Sequence, residues 1–215
     1  MQITFLLFDP ITALDVVGPY EVLSRLPGVE IRMVATEPGP KRTDQGGLAL
    51  VADHPLERSP ATDILVVPGG VGVRALAGDP EVLGWVREVH ETSRWTTSVC
   101  TGALVLGAAG VLDGLEATTH WSALDRLADY GARPVERRIV EQGKVVTAAG
   151  VSAGIDMALH LAGRIAGTEV AESIQLTMEY DPDPPFDAGS RQRASAEVVA
   201  HAEASLRRRG ITDAV

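Results

Sequence analysis

The 215-residue sequence has one cysteine, three phenylalanines, three tyrosines and three tryptophans. A single cysteine rules out an internal disulfide framework and suits a reducing compartment, so a cytoplasmic location is expected. Positive charge is scarce: 19 Lys and Arg against 29 Asp and Glu leave a formal net charge of −10. That balance argues against a nucleic-acid surface, because neutralising phosphates needs clustered Lys and Arg. The one dense basic run, Arg207 to Arg209, reads as a last helical turn, where positive charge complements the helix dipole. No run reaches the ~18 consecutive apolar residues of a membrane span. The opening "MQITFLLFDP" has no basic segment and meets Asp9, so no signal peptide is expected. The five histidines make no metal-ligand spacing with one another or with the cysteine, and neither metal nor cofactor is expected.

What is present is enough for a core: 45% of the residues are apolar. Short β-rich runs alternate with helical patterns, the signature of an α/β fold with a largely parallel sheet. Ile3 to Phe8, Val29 to Thr36, Asp63 to Gly70 and Arg94 to Val99 read as strands, and the first is nearly all apolar, as burial on both faces requires. Helices are expected over Tyr20 to Leu26, Glu81 to Thr92, Thr101 to Leu112 and Ser122 to Tyr130. Thr43 to Leu56 looks like an antiparallel excursion, and Arg137 to Gly150 like a hairpin turning at Gln142-Gly143. A further helix would start at Ser152 as its N-cap and stop at Gly167, with Thr168 capping the next. The expected organisation is a single domain over residues 1–215, with a Pro-rich loop at 181–190 and a last helix at about 194–209.

The cysteine, Cys100, falls where a strand runs into a helix, flanked by Ser98, Thr101, Gly102 and Ala103. Small residues there allow a sharp elbow that holds a nucleophile exposed, and the unpaired N–H groups of a helix start favour a thiolate. A buried cysteine packing as a small hydrophobe fits the same letters. Asp15 follows the first strand. It reads either as a helix N-cap or as a carboxylate close to the sulfur, since both strand ends open on one sheet edge. Pro68-Gly69-Gly70 ends a third strand on that edge, where bare backbone N–H groups could hold developing negative charge. Gly70-Val71-Gly72 lacks the third glycine of a dinucleotide loop. His120, in "TTHW", would be the base of a Cys–His hydrolase or an ordinary hydrogen-bonded histidine.

Taken together, "FDPITALDVVGPYEVL", "DILVVPGG", "SVCTGALVLGAAGVLDG", "ATTHW" and "AGVSAGIDMALHLAGRIAG" resemble the ThiJ/PfpI superfamily over about residues 1–180. Within it the likeness is to the isonitrile hydratase group, through Asp15, "CTG" at the elbow and the tail "QLTMEYDPDPPFDAGS". The resemblance implies a three-layer, doubly wound, mostly parallel sheet with helices on both faces, flavodoxin-like and similar to class I glutamine amidotransferases. It implies hydration of an isonitrile to an N-substituted formamide through a covalent cysteine thioimidate. Cys100 would be the nucleophile, Asp15 the acid/base that delivers a proton and then activates water, and Thr101 their support. Gly70, Val71, Val151 and Trp121 would line an apolar pocket. Relatives are dimers, so a homodimer is expected, with no nucleic-acid or membrane partner.

Three other functions fit parts of the pattern. Glyoxalase, deglycase, amidase or peptidase activity belongs to the superfamily, yet its peptidases and deglycases usually carry Glu at the Asp15 position, and the peptidase-like members carry His where this chain has Thr101. A ligand-sensing module would need a DNA-binding domain of about 100 residues. A redox sensor needs only an accessible thiol of low pKa.

Overall fold

The computed structural model describes residues 1–56 and 62–209. Its central sheet takes the parallel strands β1 (Gln2–Leu6), β2 (Glu30–Ala35), β5 (His54–Pro55), β6 (Ile64–Val67), β7 (Trp95–Val99) and β11 (Val145–Ala148), with the antiparallel β10 (Ile139–Gln142) at one edge. The spatial order is β10-β11-β7-β6-β1-β2-β5. Two short pairs stand apart from it. One is the hairpin of β3 (Gly39–Arg42) and β4 (Ala49–Ala52); the other is the parallel pair of β8 (Glu116–Ala117) and β9 (Arg133–Pro134).

The helices are α1 (Ala13–Leu23), α2 (Val73–Leu76), α3 (Pro80–Thr92), α4 (Gly102–Ala108), α5 (Ala153–Ala166), α6 (Thr168–Thr177) and α7 (Ala196–Arg208), with 3-10 turns over Trp121–Tyr130. Central strands have helices on both faces, which explains why β6, "ILVV", is buried at every position. The β7 strand buries Thr96, Thr97 and Ser98; Thr97 meets its hydrogen-bonding need by donating to the Leu65 carbonyl at 2.9 Å. This is the three-layer doubly wound arrangement expected from the sequence. The sheet order reverses between β1 and β6, the place where such folds open a crevice beyond the carboxyl ends of their strands.

Several boundaries differ from the sequence reading. The first helix starts at Ala13, not Tyr20, and carries Pro19 in its interior. Gly18-Pro19 looks like a breaker, but packing against α5 decides: a Cβ on Gly18 would lie 2.9 Å from Ile155 Cγ1, and one on Gly154 3.1 Å from Pro19 Cγ. Glycine at both places leaves room for the helices to approach this closely. The hairpin turns at Gly143-Lys144, with φ of 62° at Gly143, one residue later than the expected Gln142-Gly143. Ser152 holds the N-cap position of α5 without a capping bond, and Gly167, not Thr168, precedes α6. The last helix begins at Ala196, where Ser195 accepts from the Val198 N–H.

Candidate active site

Four adjacent parallel strands deliver the site. The segment after β1 brings Asp15, that after β6 brings Gly69, Gly70 and Val71, that after β7 brings Cys100 and Thr101, and that after β11 brings Val151. Cys100 has φ of +56° and Val151 +34°. A non-glycine residue in that region is strained and persists only where its surroundings over-determine it. Here they do. The Cys100 N–H donates to the Ala149 carbonyl at 2.9 Å, and its carbonyl accepts from Thr119 Oγ1 at 2.6 Å. Gly102 must be glycine, because a Cβ there would collide with the Val67 carbonyl oxygen. The strained elbow expected from small flanking residues is therefore present, but it holds Cys100 buried rather than exposed, and burial opposes the thiolate that the helix start was expected to favour.

Asp15 is fully buried. It is the third residue of α1, whose N-cap position is Thr12, so the N-cap reading does not hold. Its Oδ2 accepts from the Gly69 N–H at 2.9 Å. Its Oδ1 has no hydrogen-bond partner of ordinary geometry; the neighbouring group that interacts with the carboxyl is the Cys100 thiol. Burial pushes the Asp15 pKa up from 3.8 to about 7, against the lowering effects of the Gly69 N–H and the thiol. Burial, and then the Asp15 charge, also push the Cys100 thiol up, while the N–H groups of Val151 and Thr101 aimed at the sulfur oppose them. The first of the pair's two protons leaves near 7 and the second is held to higher pH, so above neutrality the pair holds one proton.

Thr101 does not hold Asp15 directly. Its hydroxyl accepts from the Gly70 N–H at 3.1 Å, pinning the turn after β6 against the elbow. That turn has no room to spare: a Cβ on Gly69 would sit 2.7 Å from Thr101 N and 2.8 Å from Asp15 Oδ2.

Cys100 and Thr101 open on a cavity of about 550 Å³, with Gly70, Val71, Val151 and His120 on its wall. Three of the expected lining residues are there. Trp121 is not: it lines a neighbouring cleft of about 370 Å³ with Arg137, Arg138 and Arg191, and the Arg191 guanidinium carbon lies 5.9 Å from its ring centroid. His120 and Trp121 are successive residues at the start of the 3-10 turns; of the two, His120 alone reaches both spaces, as Val151 also does. Burial lowers the His120 pKa. Its Nδ1 accepts from the Ser122 N–H at 3.3 Å, leaving the proton of the neutral ring on Nε2. The sequence reading missed Leu14, Asp44, Gln45, Leu48, Leu206 and Arg209, which complete the wall; they come from segments distant along the chain, and no local pattern marks them. Among the described residues no group of three His, Cys, Asp or Glu could hold a metal ion, and no helix is long and apolar enough to cross a membrane.

A doubly wound sheet that presents a strained cysteine against a buried carboxylate, at the carboxyl ends of its strands, defines an α/β protein of the cysteine-elbow class. The chain belongs to the DJ-1/PfpI family, whose profile matches residues 1–164. It is 46% identical over 199 residues to the isonitrile hydratase of Pseudomonas putida, covering 93% of this chain and 87% of that protein. A ThiJ/PfpI family protein of known structure from Pseudomonas syringae superposes with a TM-score of 0.93 at 40% identity, covering 99% of this chain and 88% of the other. The HTH-type transcriptional regulator GbdR of Pseudomonas aeruginosa is 29% identical over 188 residues, 84% of this chain but 51% of the regulator.

Proposed function

We propose that this protein is an isonitrile hydratase that converts R–N≡C and water into R–NH–CHO, with Cys100 as nucleophile. The observation that carries the mechanism is the coupled Cys100–Asp15 pair on an otherwise largely apolar cavity. The 46% identity to a hydratase over most of both chains supports the substrate class.

The reaction starts from the one-proton pair. Asp15 draws the proton from the thiol, and the thiolate, held by the Val151 and Thr101 N–H groups, attacks the terminal carbon. The same proton passes to that carbon, giving the thioimidate R–N=CH–S–Cys100. Asp15, again ionised, takes a proton from water as the oxygen adds to the carbon and passes that proton to the nitrogen, leaving its carboxylate ionised. The C–S bond then breaks, the hydroxyl proton returns to the pair, and R–NH–CHO leaves. Asp15 does not line the cavity, so its protons travel by way of the sulfur side of the site. General acid–base help of this kind contributes ~10²–10⁴ in rate, and covalent capture splits one difficult step into two. Gly70, Val71 and Val151 shape the pocket for an uncharged substrate. No cofactor or metal enters the scheme.

The protein is further proposed to work in the cytoplasm as a homodimer, with exposed Tyr20 and Val51 offering apolar surface to a second copy. Light scattering at twice the chain mass checks the dimer. Incubation with an aryl isonitrile, with formamide read by chromatography, tests the activity; turnover of methylglyoxal without formamide production would replace it with a glyoxalase reading.

A further inference from the structure

The outer wall of the Cys100 cavity comes from a segment that the family profile, ending at residue 164, does not reach. It is α7, which contributes Leu206 and, just past its end, Arg209. Despite its length, α7 has no fully buried residue, so core packing does not explain its position. Polar ties at its carboxyl end do. The Arg209 guanidinium lies 3.5 Å from Asp44 Oδ2, and the Gln45 side-chain carbonyl, in the amide orientation that satisfies its neighbours, accepts from Arg209 Nη1 at 3.2 Å. Asp44 is itself fixed: its carboxylate accepts from Thr12 Oγ1 at 2.9 Å, its N–H donates to the Ile11 carbonyl at 2.9 Å, and its side chain is only 9% exposed. Thr12 in turn donates its N–H to the Gly69 carbonyl at 2.9 Å, so the tie is anchored in the turn that holds Asp15.

Leu14, Leu48, Val71 and Val151 line the same cavity as Leu206. We propose that α7 is the specificity wall of the site: Leu206, held in place by the tie of Arg209 to Asp44 and Gln45, limits the size of the substituent that can enter with the reacting carbon. The proposal rests on the hydratase reading for its substrate, but not for its geometry. Both partners of the tie already carry opposite charges that satisfy each other, so the wall selects by apolar bulk rather than by substrate charge.

The test compares wild type with Leu206→Ala, Arg209→Ala and Leu206→Phe in two ways. The first is kcat/KM for cyclohexyl isonitrile against a biphenyl isonitrile; the second is the rate of Cys100 alkylation by iodoacetamide against N-pyrenylmaleimide. One methylene in a fitted pocket discriminates by 10–200-fold, so both bulky-to-small ratios are expected to rise by about tenfold in the two alanine variants and to fall in Leu206→Phe. Ratios within twofold of wild type in both alanine variants overturn the proposal, even where isonitriles are turned over. If wild type hydrates neither isonitrile while the alkylation ratio rises as expected, the wall stands and the hydratase reading falls.

Discussion

Asp15→Asn should make the protein more stable and nearly inactive at once. The carboxyl is fully buried and has its pKa raised to about 7. Linkage fixes the sign. Between 3.8 and about 7 the folded state binds a proton that the unfolded state has lost, so stability falls as pH rises through that interval. At 1.36 kcal/mol per pH unit, the interval corresponds to about 4 kcal/mol, fully present above pH 7 and absent below pH 4. Asparagine removes the charge, and its amide oxygen can still accept from the Gly69 N–H. Its NH₂ group inherits the unpartnered place of Oδ1, which offsets part of the gain at about 1–2 kcal/mol. The expected increase at pH 8 is about 2–3 kcal/mol, or roughly 4–10 °C in Tm for a chain of this size. The increase should vanish below pH 4. Thermal unfolding of both proteins from pH 4 to 8 measures it. Equal stability at pH 8, or a difference independent of pH, would refute the account of Asp15 as a buried group poised near neutrality.

Three other expectations follow from the same geometry. Because the reactive form is the one-proton pair, kcat/KM should fall about tenfold per unit as pH drops below about 7, and a stopped assay across pH 5 to 9 would show it; a flat profile contradicts the shared proton. Gly69→Ala puts a Cβ 2.7 Å from Thr101 N and 2.8 Å from Asp15 Oδ2, so the turn must shift; a destabilisation of about 1–3 kcal/mol and a rate loss of about 10²-fold are expected from denaturant melts and initial rates. Thr119→Val leaves the Cys100 carbonyl without the hydroxyl that reaches it at 2.6 Å, which should cost about 1–3 kcal/mol in denaturant melts, with slower Cys100 alkylation as the elbow relaxes.

The parallel sheet was legible because strands covered on both faces are largely apolar, as β6 is throughout. The elbow was legible because a positive φ at Cys100 demands small neighbours, and Gly102 in particular leaves a chemical trace. Other features carried none. Gly18-Pro19 reads locally as a helix stop, yet the close approach of α5 turns the same two residues into helix interior. Asp15 looks like a cap from its position after a strand, and only the folded turn at Gly69 reveals where its carboxyl goes. Trp121 and His120 are adjacent in sequence, yet His120 reaches the Cys100 cavity and Trp121 lines only the neighbouring cleft, a distinction that depends on the orientation of the 3-10 turns. Leu206 and Arg209 meet the cavity through a contact with Asp44 and Gln45, far away along the chain, which periodicity cannot report.

The central claim is that Cys100 attacks an isonitrile carbon and carries it as a thioimidate. The most direct measurement is intact-protein mass spectrometry of wild type, Cys100→Ala and Asp15→Asn during turnover of a simple aryl isonitrile, with formamide followed in parallel. Formamide from wild type, none from Cys100→Ala, and a wild-type adduct equal to the isonitrile mass on the Cys100 peptide is the predicted result. Formamide formation by Cys100→Ala at the wild-type rate, or none by wild type, would contradict it.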